Sequence, residues 1–190
     1  MRIARKPPSV EDGEIIAATR VWLERAVIGL NLCPFAKAVH LKQQIRYAVS
    51  AAQTPEDLLA DLVAELRLLQ AADPSEIDTT LLVHPHVLAD FLDYNDFLEL
   101  AEAAVADEGL EGEIQVASLH PHYQFAGTRP EDIENYSNRS PYPTLHLLRE
   151  ASIARAVEAF PEASRIYERN IDTLRRLGHE GWRRLWTEKE

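Results

Sequence analysis

Two His-Pro-His tripeptides, His84-Pro85-His86 and His120-Pro121-His122, each follow a run that reads as a β-strand. Together they hold four of the chain's seven histidines, and a fifth, His146, falls in the dense polar stretch after the second. Neutral imidazoles ligate metals and exchange protons near pH 7. Proline redirects the chain sharply after a strand and removes a backbone donor. If the two strands are parallel neighbours, His84 and His120 stand about 4.8 Å apart. That is close enough for them, with His122, to share a divalent metal such as zinc or iron. Against this, proline ends many strands, and histidines in such turns cap backbone groups. Neither a His-Glu-x-x-His nor a Cys-x-x-Cys spacing occurs. The edge to which both turns would belong is where open α/β sheets bind ligands.

The second constellation spans residues 120–149 and includes Tyr123, Phe125, Asn135, Asn138, Arg139, Ser140, His146 and Arg149. Asn138 and Arg139 precede Ser140, which reads as the cap of a helix running to about residue 160. A guanidinium beside free first-turn amides binds a carboxylate or phosphate well. Pro141 and Pro143 remove amides from that turn, so the clamp falls mainly to the Arg139 side chain. On such a helix His146 and Arg149 share a face, and Glu150 could orient the imidazole. The plainer alternative is that Asn and Ser shape turns while Arg139 pairs with a surface acid.

Cys33 is the chain's one cysteine, so no intrachain disulfide forms. It precedes Pro34 at a predicted helix start, which favours a thiolate nucleophile or a metal ligand. Its apolar neighbours Leu32 and Phe35 favour a buried, inert thiol instead. Asp93, Asp96 and Glu99 read as a solvated helix face, and Trp22, Phe91, Phe97 and Phe160 as core.

The elements that must position these groups follow from periodicity. Residues 13–30 predict a helix, with Ile15, Ile16, Thr19, Trp22, Leu23, Ala26 and Val27 on one stripe. A short helix follows over 35–41, then a strand over 44–50. Thr54-Pro55-Glu56-Asp57 is a capped helix start, and Leu58, Leu59, Leu62, Val63, Leu66 and Leu69 mark its buried face. A strand over 79–83, a helix over 87–107 with Leu88, Phe91, Leu92, Leu98, Ala101 and Val105 inward, and a strand over 113–119 come next. The 140–160 helix and a last helix restarting at Pro161, broken near Gly178, complete the chain. The order α-α-β-α-β-α-β-α-α predicts an α/β fold, with α+β as the alternative. Its sheet is short and mostly parallel, of about three strands covered by helices. Residues 1–12 read as a flexible arm and 13–190 as one domain.

Composition narrows the partners. Residues 55–113 carry sixteen acids against Arg67 alone. Such a segment repels phosphate backbones and argues against nucleic acid. The seven basic residues within 165–190 suit a solvated helix face or an acidic partner. No apolar run has the length to span a bilayer, and the N-terminal stretch lacks an apolar signal core. The expectation is a soluble cytoplasmic protein; its oligomeric state is not legible.

The stretches Asn31-Leu32-Cys33-Pro34-Phe35-Ala36, His120-Pro121-His122-Tyr123-Gln124-Phe125 and Asn138-Arg139-Ser140-Pro141-Tyr142-Pro143-Thr144-Leu145-His146-Leu147-Leu148-Arg149 resemble an uncharacterised bacterial family, the domain of unknown function 1415. The resemblance runs from about Val21 to Trp186. It implies that Cys33, His120, Tyr123, Asn138, Arg139, His146 and Arg149 are motif positions, and it assigns none of them a role.

The residues then read as a small enzyme acting on a small anionic metabolite at the C-terminal edge of the sheet. His120 and His146 would serve as acid–base groups or metal ligands, and Cys33 as nucleophile or third ligand. Tyr123, Asn138, Arg139 and Arg149 would bind substrate. The alternatives are a non-catalytic module for a small anion or metal, and an interaction protein using its acidic middle and basic end.

Overall fold

Ser9 and Asp12 start the first helix with a reciprocal pair of hydrogen bonds. Asp12 N–H donates to Ser9 Oγ at 3.1 Å and Ser9 N–H to Asp12 Oδ2 at 3.0 Å. The computed structural model describes residues 9–159 and 165–187. The predicted arm is thus shortened: residues 10–12 are helical, and 1–8 lie outside the described residues, as do Phe160 and the expected restart at Pro161.

Helix α1 spans Val10–Trp22 and continues as a π-helical segment, Leu23–Ile28. There Gly29 N–H reaches back five residues to Glu24 O at 2.9 Å. A Cβ on Gly29 would overlap the carbonyl oxygen of Arg25, so only glycine closes this segment without a shift. Asn31, at φ 54, reverses the chain into α2, Ala36–Leu41. Strand β1 is Ile45–Val49 and α3 is Pro55–Ala71. The start of α3 is as predicted: Thr54 Oγ1 accepts from Asp57 N–H at 3.2 Å, with Pro55 at the first position. Strand β2 is Thr79–Val83.

Helix α4 is Phe91–Asp107 and begins four residues later than its periodicity suggests. Asp90 Oδ1 caps it by accepting from Leu92 and Asp93 N–H. Leu88, at φ 58, is left-handed and cannot sit inside a helix. The buried face also differs from the expected stripe: Tyr94, Phe97, Ala101, Ala104 and Val105 are buried, whereas Leu92 is 71% exposed.

Strand β3, Ile114–Leu119, leads through an irregular loop and a short 3₁₀ segment, Ile133–Asn138, to β4, Thr144–Arg149. Helix α5, Glu150–Ala159, follows directly. Helix α6 is Ile166–Thr187, and Gly178 (φ 66, ψ 173) breaks it where the sequence suggests. No helix among the described residues is long and apolar enough to cross a membrane.

The fold is α/β, but its sheet is four-stranded and mixed, in the order β1-β2-β4-β3. Only β1 and β2 are parallel neighbours; β4 runs antiparallel to both β2 and β3. The expected helix over 140–160 is therefore corrected to a strand followed by a helix. Pro141 and Pro143 push the residues before them towards extended backbone, and the ladder begins where the prolines end. Because β4 is central, both its faces are covered. Its near-continuous apolar run, Leu145 to Leu148, then lacks the alternation that marks a half-buried strand.

One face of the sheet packs Ala48, Leu82, Leu145 and Leu147 against Leu58, Leu62 and Leu66 of α3 and Tyr94 and Phe97 of α4. Arg46 of β1 grips Glu65 of α3 through two 2.6 Å bonds. Beyond the other face lies a second cluster, with Trp22, Leu23, Ala26, Leu32, Leu174 and Trp182 at its heart. Between it, the sheet and α5 the packing leaves a cavity.

Candidate functional site

The strand order decides the fate of the two His-Pro-His turns. Val83 and Leu119 both pair with Thr144. His84 and His120 therefore do leave the sheet at the same edge, as expected, but with β4 between them. Two strand spacings, about 9.6 Å, replace the single spacing on which a shared metal rested.

Their rings flank Tyr94, at centroid distances of 5.7 Å for His84 and 5.0 Å for His120. His84 and His120 are each 0% exposed. A carbonyl only accepts, so His84 Nδ1, 3.0 Å from Val87 O, carries the proton. His120 Nδ1 accepts from His122 N–H at 3.0 Å, so its proton is on Nε2, which donates to Leu88 O at 3.1 Å. Burial pushes His84 down to about 4 and also lowers His120. Both rings are neutral brackets holding the left-handed turn at Leu88. His120 has no nitrogen left for a metal, and no group of three or more His, Cys, Asp or Glu among the described residues could hold one. As arranged, His84, His120 and His122 do not form a metal cage.

The polar stretch 120–149 is largely occupied with its own backbone. A covered loop has no ladder, so side chains must satisfy its amides and carbonyls. Asn135, fully buried, accepts from Phe125 N–H and Thr128 Oγ1 and donates to Arg129 O. Arg139 follows a 3₁₀ turn rather than preceding a helix. It donates to Tyr123 O at 3.2 Å and Pro130 O at 2.5 Å and stacks 4.3 Å over Tyr136. Arg149 donates to Leu69 O, Ala72 O and Ile77 O, closing the end of α3 and the turn into β2. Tyr123 packs between Phe91 and Phe125, at 5.2 and 5.0 Å.

On the other face of the sheet is a cavity of about 910 Å³. Its floor is made by Ile45, Thr79, Leu81, Leu119, His146 and Leu148, alternate residues of all four strands. The π-helical segment contributes Leu23 and Val27, the next loop Cys33 and Phe35, and α5 Ile153 and Ala156. Asn138 reaches it from the 3₁₀ turn, its Nδ2 donating to Ser118 O. Arg149 borders it with its guanidinium already engaged. Lys42, Asp78 and Arg155 also line it, Lys42 and Arg155 being exposed. Ser152 joins α5 to the start of β2 by donating to Asp78 Oδ1 at 2.6 Å.

The structure thus gathers Cys33, Asn138, His146 and Arg149 around one cavity, and sets His84, His120, His122, Tyr123 and Arg139 at the sheet edge. His146 is a strand residue, so Arg149, three positions on, faces the other way, and Glu150 begins α5. The His146 ring lies on the cavity floor with Nε2 2.8 Å from Thr79 Oγ1, and burial pushes it down to about 4. For Cys33, burial raises the thiol and outweighs the lowering by the amides of Phe35 and Ala36. The six residues of α2 do not supply the stronger effect that a thiolate would need.

Sequence reasoning missed the floor of this cavity, Tyr94 and the π-helical wall. No alternation signalled the floor, because β4 carries leucines on both faces.

A family model matches residues 14–184: the chain belongs to the family described as protein of unknown function (DUF1415). No curated protein and no solved structure matches it.

Proposed function

We propose that this DUF1415 protein binds a small amphipathic anion in the cavity over the sheet. The apolar body of the ligand lies against Leu23, Val27, Leu81 and Leu148. Its anionic head sits beside Lys42 and Arg155. The cavity itself carries this reading. Native interiors hold few voids larger than a water molecule, yet about 910 Å³ is open here, within the range of sites for small ligands. The surface of the wall is mostly apolar, and Cys33, Thr79, Gln115, Asn138, His146 and Asn170 are among the polar residues that interrupt it. Arg155 donates to Ser152 Oγ, and Lys42 has no ion-pair partner among the described residues. The anion expected from the sequence thus keeps a basic contact, although Arg139 and Arg149 are engaged elsewhere. A neutral imidazole and a protonated thiol favour binding over nucleophilic chemistry.

Calorimetric titration with octanoate, decanoate and dodecanoate tests the reading, using Ala156→Trp to fill the cavity. Helix α5 buries no residue fully, so that variant should fold. At least one carboxylate should bind, and Ala156→Trp should weaken it about tenfold or more. Absence of binding, or binding that Ala156→Trp leaves unchanged, contradicts the assignment.

A further inference from the structure

The cavity floor holds one acceptor whose state the hydrogen bonds determine. Leu81 of β2 and Ala117 of β3 pair with His146 on either side, so the imidazole stands mid-sheet between apolar neighbours. Thr79 has one hydroxyl proton and two contacts. Its Oγ1 lies 2.6 Å from Leu147 O, which can only accept, and 2.8 Å from His146 Nε2. The proton therefore goes to the carbonyl, and Thr79 accepts from an Nε2–H. Nδ1 is left with its lone pair.

No described residue donates to that lone pair. It is not sealed away either: the buried side-chain polar atoms without a partner among the described residues are Tyr47 Oη, Thr80 Oγ1 and His84 Nε2. His146 lines the cavity, so the donor that Nδ1 lacks must come from the cavity's contents.

We infer that His146 is the inner polar anchor of this site, accepting through Nδ1 a hydrogen bond from a hydroxyl on the ligand. The preferred class is then hydroxylated amphipathic carboxylates, anionic at one end and carrying a donor within the apolar body. This rests on the cavity reading above and names its substrate class. A ligand without the hydroxyl would cover Nδ1 and leave it unpaired, and a site built to pair a hydroxyl discriminates against such analogues.

The experiment compares decanoate with its singly hydroxylated isomers on the wild type and on His146→Leu. At least one isomer should bind the wild type about tenfold more tightly than decanoate. His146→Leu should bind decanoate and lose that preference. Because His146 sits in a central strand, ¹⁵N spectra of histidine-labelled wild type provide a test independent of the variant's folding. They should show the Nε2–H tautomer, and its Nδ1 signal should move with the hydroxylated probe and not with decanoate. Equal binding of all probes, a preference that survives His146→Leu, or an Nδ1–H tautomer overturns the anchor and leaves the cavity reading standing. Failure of every probe to bind the wild type overturns both.

Discussion

His84 and His120 hold consecutive carbonyls of one loop. Nδ1 of His84 donates to Val87 O and Nε2 of His120 donates to Leu88 O. Each ring also packs on Tyr94. The histidines that looked most chemical in the sequence thus shape the turn between β2 and α4. These bonds hold the loop in place, and that contribution can be tested.

Tyr94 joins the last residue of β3 to the first of β4, its hydroxyl donating to Thr144 O at 2.8 Å and accepting from Leu119 N–H at 3.0 Å. Tyr94→Phe keeps the ring but strands both partners. It should lower unfolding free energy by about 1–3 kcal/mol, read by urea denaturation, with little effect on carboxylate binding.

Stability should fall as the solution is acidified through the histidine range. The folded-state values of His84 and His146 are depressed to about 4 from an ordinary 6.5. Between those limits the unfolded chain binds more protons than the folded one. Stability is therefore fully present above pH 6.5 and lost towards pH 4. For fully buried His84 the loss is on the order of 3 kcal/mol. Urea titrations across that window should show a shallower fall in His84→Gln than in the wild type; equal slopes would refute it.

Gly29→Ala should disturb the cavity from a distance. The added methyl overlaps Arg25 O, so the π-helical wall carrying Leu23 and Val27 must shift. A loss of about 2 kcal/mol or more in stability is expected, since strain at a closed backbone approach is among the costly mechanisms. Carboxylate binding should weaken in parallel, as calorimetry would reveal.

Cys33 should alkylate slowly at neutral pH. Burial raises its thiol above the ordinary value, so iodoacetamide labelling of folded protein should accelerate only in alkaline solution. Saturating ligand should slow it further, because the sulfur lies in the cavity wall. Fast labelling below pH 7.5 would show that the helix end outweighs burial.

Elements with a local signature were legible in the sequence: the Thr54 cap, the Leu58–Leu62–Leu66–Leu69 stripe, strand β2 and the break at Gly178. The central strand was not, because a strand covered on both faces loses its period of two. That one miss moved His146 from a helix to the floor of the cavity and placed β4 between the two His-Pro-His turns. Arg139 and Arg149 were recognisable as directional groups. What they bond to depends on which carbonyls the fold leaves without partners, and no spacing in the chain reports that.

The most direct test is the ¹H–¹⁵N map of the protein as decanoate and its hydroxylated isomers are added. The account predicts shifts concentrated at Val27, Cys33, Leu81, His146 and Ala156, with the amides around His84 and His120 still. Shifts centred on the His84–His120 edge, or no shifts with any of these probes, would contradict it.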